Sequence, residues 1–289
     1  MITVFADTDC DITKENYEDL GVKIISMPYF LGEKEIHPSE DDLPYDAHEF
    51  YEKLRGGLMP KTSGLSPETY INYFEPELKK GNDVLYIHFS SGMSGTFNAM
   101  NIAIGELKEK YPNRTITPFD TLGISILGLS IVKEMTDKLK SGATLEETIK
   151  YGEEERAHTA CYFFANDLLF FKRSGRLSGM SAIAGTIFGV KPIITMNEEG
   201  KMVVVGKEAG RPNAVKHLVR TVKELGDDIK NHPFYVIGSD CDKFADELIR
   251  ELKKEFGDDL KITTGSLNPT SGCHCGPSTL GLAFHSKHR

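Results

Sequence analysis

The stretch Val84-Leu85-Tyr86-Ile87-His88-Phe89-Ser90-Ser91-Gly92-Met93-Ser94-Gly95-Thr96-Phe97 passes from a short β-rich apolar run into a serine- and glycine-rich turn, and then into a helical segment reaching Lys110. That is one strand–turn–helix unit. Outward from it, Ile2 to Ala6, Val22 to Tyr29 and Ile116 to Phe119 repeat the strand signature, with amphipathic helical stretches between them. Alternation of this kind predicts an α/β fold with a mainly parallel sheet. The clearest helix start is Ser66-Pro67, an N-cap with proline in the first helical position, and the helix runs to Lys79-Lys80 with Gly81 as its stop.

A second series of strands follows an acidic helix over Leu145 to Arg156. It comprises Ala160 to Ala165, Pro192 to Met196, Met202 to Val205, Phe234 to Ser239 and Leu260 to Thr264. Asn197-Glu198-Glu199-Gly200 separates two of these runs, so a hairpin is expected and with it a mixed second sheet. At about 150 residues per domain, the 289 residues predict two α/β domains, 1–158 and 159–289, packed over a crevice.

A hydrophobic fraction of 39% supplies a sizeable core. The net charge of -9, with no basic run, argues against a nucleic-acid partner. Leu122 to Val132 and Ala182 to Val190 fall short of the roughly 20 residues of a transmembrane helix, and Asp7 and Asp9 follow the first strand where a signal peptide needs a longer apolar core. A cytoplasmic protein is expected. Five dispersed cysteines read as reduced thiols.

The chain has no GxSxG, GxGxxG, HExxH or CxxC motif. Its chemistry-bearing segments are small hydroxyl and glycine clusters. Ser90, Ser91, Gly92, Ser94 and Gly95, between strand and helix, form either an anion cradle of backbone N–H and hydroxyl donors or an ordinary helix cap. Thr62-Ser63 stands before the Ser66-Pro67 helix in the same way. His274 lies between Cys273 and Cys275; Cys-x-Cys lacks the usual zinc spacer and no second ligand pair is evident, so no metal site is expected. Arg176, in the basic turn from Lys172, is a pairing charge or an anion holder. Asp7-Thr8-Asp9 fits helix capping better than Mg²⁺ binding. The apolar runs nominate Phe163, Ile183, Ile187, Phe188 and Phe284 as walls of a tunnel, or simply as core.

Taken in order, these segments resemble the DegV family of bacterial fatty-acid-binding proteins almost end to end. Asp7-Thr8-Asp9-Cys10-Asp11-Ile12 is similar to the family's "DSTADL" opening, and Thr62-Ser63 through Pro67-Glu68 to "TSxPSPEE". Ser90 to Phe97 is similar to "SSxLSGTY", Ser174-Gly175-Arg176 to "GGR", Lys191 to Ile194 to "KPIL", and His274 to Gly281 to "HxGPGxxG". Ser174 and Ser278 depart from glycine in these patterns, and two cysteines flank the histidine.

The resemblance implies a non-enzymatic carrier that needs no cofactor and holds one long-chain fatty acid between its domains. Thr62, Ser63, Ser90, Ser91, Gly92, Ser94, Gly95 and His274 would bind the carboxylate. Arg176 and Gly276 would be near the ligand or structural, and Arg211 would dock a separate fatty acid kinase. That kinase would make acyl phosphate for phospholipid synthesis, and the carrier would be open to transient contact with a membrane surface. The physical logic is independent of the name: about fourteen methylenes at roughly 0.8 kcal/mol each hold on the order of 11 kcal/mol against water, so something must bury the tail while leaving the head reachable. Two alternatives are a phosphotransferase or acyl hydrolase using Ser91 or Ser94 with His274 as base, and redox or metal sensing through Cys273 and Cys275.

Overall fold

The computed structural model describes residues 1–41, 45–166, 168–178 and 189–289. In chain order the first part contains β1 (Ile2–Asp7), a 3-10 turn (Thr8–Cys10), α1 (Tyr17–Leu20), β2 (Lys23–Ile25), β3 (Tyr29–Leu31) and β4 (Lys34–Ile36). It continues with α2 (Ala47–Arg55), β5 (Lys61–Thr62), α3 (Pro67–Lys79), β6 (Asp83–His88), α4 (Thr96–Lys110), β7 (Ile116–Asp120), α5 (Ile126–Lys140) and α6 (Leu145–Ala157). Then come β8 (Thr159–Phe164), α7 (Leu169–Ser174), β9 (Leu177–Ser178), β10 (Val190–Met196), β11 (Met202–Ala209) and α8 (Arg211–Leu225). The last are β12 (Phe234–Gly238), α9 (Asp242–Phe256), β13 (Ile262–Ser266), α10 (Pro269–Cys275) and β14 (Leu280–His285).

The first sheet has the order β2-β1-β6-β7 and is wholly parallel. The second has the order β13-β12-β14-β8-β10-β11-β9 and is mixed: β12 and β13 run parallel, as do β11 and β9, and the other neighbours are antiparallel. The expected α/β class and the expected pairing of a parallel with a mixed sheet are both present. A small antiparallel sheet, β4-β3-β5, was not foreseen. It takes Tyr29 away from the expected strand over Val22 to Tyr29, which breaks after Ile25; Pro28, just before the break ends, has no N–H to give a ladder.

Local signals explain the helix ends. Ser66 Oγ accepts a hydrogen bond from Thr69 N (3.1 Å) with Pro67 behind it, and α6 carries a complete capping box between Thr144 and Glu147. The hairpin between β10 and β11 turns at Gly200, whose φ of 69° is left-handed.

One core runs under both sheets and includes Phe5, Phe74, Tyr86, Leu127, Phe163 and Ile237. Helix α5 carries this continuity, packing on the 3-10 turn on one side and on β8, β12 and β14 on the other. Helices α8 and α9 cover the outer face of the second sheet over a separate core of Phe164, Phe234, Leu280, Leu282 and Phe284. Among the described residues, no helix is long and apolar enough to cross a membrane.

Candidate functional site

Short connections from distant parts of the chain converge between the two large sheets. The 3-10 turn brings Asp9, the end of β5 and the loop after it bring Thr62 and Ser63, the turn before α4 brings Ser94, and α10 brings Ser271 and His274. Helix α10 is held in place by Asn268, whose Oδ1 accepts from Ser271 N (2.8 Å) and whose side-chain amide donates to Asp11 (2.7 Å). Together these groups line a polar chamber of about 70 Å³, with Arg176 on its rim.

Thr62 Oγ1 and His274 Nε2 are hydrogen-bonded at 3.0 Å. Burial, and then the Arg176 charge, push the His274 imidazole down to about 4, so the ring is neutral at physiological pH. Its Nδ1 is buried with no hydrogen-bond partner among the described residues. Beside the Asp9 carboxyl, the chamber therefore offers hydroxyls and a neutral imidazole, groups that hydrogen-bond to an anion without a fixed buried cation.

An apolar chamber of about 50 Å³ continues from it and shares Met93, Ile124, Ser271 and His274. Its further walls include Ile126, Phe163, Met196, Met202, Ile237 and Gly281. Gly281 projects no side chain, and a Cβ there would meet Phe163 Cβ at 3.4 Å and Ile126 Cδ1 at 3.6 Å.

The predicted residues divide. Thr62, Ser63, Ser94, Arg176 and His274 line the polar chamber, and Phe163 lines the apolar one. Ser90, Ser91, Gly92 and Gly95 do not line either. Ser90 is buried, donating to Gly200 O (2.7 Å) and accepting from Gly92 N (3.1 Å). Ser91 is exposed, and its N–H points at the Asp120 carboxylate (3.3 and 3.4 Å), so that donor is turned to an acidic side chain of the protein itself. Gly92 packs on the hairpin, where a Cβ would lie 2.5 Å from Glu199 O, and Gly95 is exposed.

Gly276 has a φ of 71°, and a Cβ there would strike the Phe170 ring at 2.4 Å, which makes it a packing glycine. Phe284 is corrected: β14 alternates, so Leu280, Leu282 and Phe284 face the outer core, while Gly281 and Ala283 face inward. Ile183, Ile187 and Phe188 lie outside the described residues. Arg211 opens α8 on the outer side, paired with Glu247 (3.2 Å) and stacked over the Phe244 ring (4.2 Å).

Asp7 behaves as the expected cap. Its Oδ1 accepts from Cys10 N (3.1 Å), and its Oδ2 from Tyr86 Oη and Phe89 N (both 3.0 Å). Burial nevertheless raises it to about 7 and raises Asp11 to about 6. Cys273 and Cys275 are buried free thiols; burial pushes Cys275 up to about 12 and Cys273 higher still, which keeps both protonated. Asp9, Thr270, Ser271 and the lining methionines Met27, Met93, Met196 and Met202 were not predicted as site residues. The Asn268-Pro269 helix start was a usable signal for α10, but nothing local says that this helix faces Thr62.

A two-sheet α/β architecture with a polar-to-apolar chamber between its sheets is the class that the fold and site define. This chain belongs to the DegV family, whose model, described as "Uncharacterised protein, DegV family", matches residues 1–287. It is 29% identical over 283 residues to a DegV domain-containing protein of Clostridium perfringens, covering 97% of this chain and 96% of the relative. Among solved structures it is similar to a DegV family protein from Thermus thermophilus described by its fatty acid binding (TM-score 0.85, 26% identity, 99% of each chain). It is also similar to DegV of Bacillus subtilis, described as a fatty acid binding protein (TM-score 0.83, 27% identity, 99% of each chain).

Proposed function

We propose that this protein binds one long-chain fatty acid and presents its carboxylate to a separate fatty acid kinase. The acyl phosphate so formed would feed phospholipid synthesis. The observation that carries this reading is the continuity of the two chambers through Met93, Ile124, Ser271 and His274: hydroxyls at one end, hydrocarbon at the other. The fatty acid binding of the related Thermus and Bacillus proteins supports it.

In this reading Thr62, Ser63, Ser94 and Ser271 hold the head, with His274 donating from one ring nitrogen. The head donors come from both sides of a division near residue 158, and the tail walls mostly from the second side. Chambers of about 70 and 50 Å³ are too narrow for a tail of about fourteen methylenes as they stand. Met93, Met196 and Met202 are the side chains that yield, since an unbranched thioether repacks at little cost. The protein acts in the cytoplasm, needs no cofactor, and meets the membrane surface only to load.

The hydrolase or phosphotransferase alternative lacks a supporting contact: among the described residues no hydrogen bond joins His274 to Ser91 or Ser94, and its Nε2 is engaged by Thr62. Native mass spectrometry of the purified chain, followed by solvent extraction, tests the proposal. One fatty acid per chain is expected. A chain that arrives empty and takes up no added fatty acid would overturn it.

A further inference from the structure

Asp9 is an anomaly in a chamber read as an anion site. The residue is 6% exposed and lines the polar chamber beside Thr62, Ser94, Ser271 and His274. Its Oδ1 is buried with no hydrogen-bond partner among the described residues, and no lysine or arginine there forms an ion pair with it. The neighbouring carboxyls on the same turn are provided for: Asp7 by Cys10, Tyr86 and Phe89, Asp11 by Ser125 and Asn268. Of these three carboxyls, only Asp9, a residue of the chamber wall, keeps an oxygen without a partner among the described residues, and a buried carboxyl in that state is completed by a ligand or costs stability.

We propose that Asp9 is the head-group selector of this pocket, a protonated carboxyl that donates a hydrogen bond to the carboxylate of the bound ligand, the pair sharing one proton. This rests on the fatty acid reading above and assigns it a residue that the reading does not contain.

The surroundings favour the neutral acid. Burial first, and then the Asp7 and Asp11 charges, hold the Asp9 carboxyl well above the usual carboxylate range. From α10 the facing titratable groups are the neutral His274 and the protonated thiols of Cys273 and Cys275; from the 3-10 turn, Cys10; from α3, the phenol of Tyr70, while the Tyr86 phenol of β6 is turned to Asp7. The first turns of α5, Ile126 to Val132, bring no charge. Arg176, on the rim, is the one facing cation among the described lining residues. An ionised Asp9 would repel a carboxylate head, whereas a protonated one supplies the O–H donor that a carboxylate accepts, in one of the stronger classes of hydrogen bond.

The test is a fluorescence titration with a conjugated-polyene fatty acid, from about pH 6 to about pH 9, where the ligand is ionised and His274 neutral. Wild type and Asp9→Asn are compared, with a long-chain alkylamine as the second probe. Wild-type affinity is expected to fall about tenfold per pH unit once Asp9 ionises. Asp9→Asn, whose amide donates at every pH, is expected to give a flat profile near the low-pH wild-type affinity, and the amine to bind more weakly than the acid. Identical profiles for the two proteins, a flat wild-type profile, or preference for the amine would each overturn the assignment while leaving fatty acid binding intact. If wild type binds neither probe, both this assignment and the carrier reading fall. Should Asp9→Asn not fold, the wild-type profile and the acid-to-amine preference still decide.

Discussion

The seam between the serine turn and the β10–β11 hairpin can be tested by one methyl group. Gly200 has a φ of 69°, and a Cβ built there lies 2.0 Å from Ser90 Oγ, 3.1 Å from Ser90 Cβ and 3.2 Å from Leu122 Cα. Gly200→Ala therefore pushes Ser90 off the Gly200 carbonyl that it now reaches at 2.7 Å. A left-handed alanine costs about 1–2 kcal/mol, and a buried hydroxyl robbed of its acceptor about 1–3 kcal/mol. The sum is a destabilisation of about 2–5 kcal/mol. Gly105, exposed in α4 with nothing within 4 Å of its Cβ position, is the internal control. There alanine should stabilise by about 0.5–1 kcal/mol, because it removes backbone entropy from the unfolded chain. Urea unfolding of the two variants, read by linear extrapolation, checks both signs. If Gly200→Ala stays within about 0.5 kcal/mol of wild type, or if the two variants move in the same direction, the seam is not the close contact described.

Thr62→Val keeps the shape of the head chamber but strands His274 Nε2, so affinity for a fatty acid should drop about tenfold by fluorescence titration; an unchanged affinity would remove Thr62 from the site. Gly281→Val grows a side chain from β14 into the apolar chamber, and a medium-chain acid should still bind where a long-chain acid no longer does; equal loss of both would mean that the tail runs elsewhere. Asp7 and Asp11 are raised to about 7 and about 6, above the ordinary value of 3.8, so the folded state holds protons that the unfolded chain has released. Their contribution is complete below the unfolded value and is lost as pH rises toward 6 and 7, at up to about 1.4 kcal/mol per pH unit for each group. His274, lowered to about 4, works in the opposite direction, losing stability as pH falls below 6.5, and offsets one group's share. Net stability from this cluster should thus decline between about pH 5 and pH 7 in urea midpoints. A rise over that interval would show the aspartates to be ionised in the folded protein.

What could be read from the chain beforehand was whatever a local pattern determines. The run from Val84 to Phe97 became strand, turn and helix because each part has its own signal: β-branched and aromatic residues, then glycines, then helical periodicity. β14 was missed because Leu280-Gly281-Leu282-Ala283-Phe284 spends two of its inward positions on residues of low strand propensity, whose smallness is explained only by α5 and the apolar chamber. The small sheet of β3, β4 and β5 has strands of two and three residues, too short for any period to show. In the site, Thr62, Ser63, Ser94 and His274 were nominated by loop composition, but the same composition also nominated Ser91, whose N–H is turned to Asp120. Asp120 is 29 residues away in sequence, and no local reading could have foreseen that its carboxylate would take this N–H. Asp9 looked like one more acidic cap until the distant α10 walled it in.

The position of β14 has a consequence for the order in which the second half can be made. This strand follows all its sheet partners in sequence, yet it stands in the middle of the sheet, with β12 on one side and β8 on the other. During synthesis β8, β10 and β11 emerge early, and β12 and β13 later, but the two groups have no hydrogen-bonded contact with each other until residues 280–285 leave the ribosome. For that interval β8 and β12 each offer an open edge, with Phe163 and Ile237 beside it, to any other extended chain. The residue that completes the apolar chamber, Gly281, belongs to the same late strand. A nascent chain thus has no compartment to fill until its central strand has slotted home, and the hazard of mispairing and the onset of ligand capacity end and begin at one event.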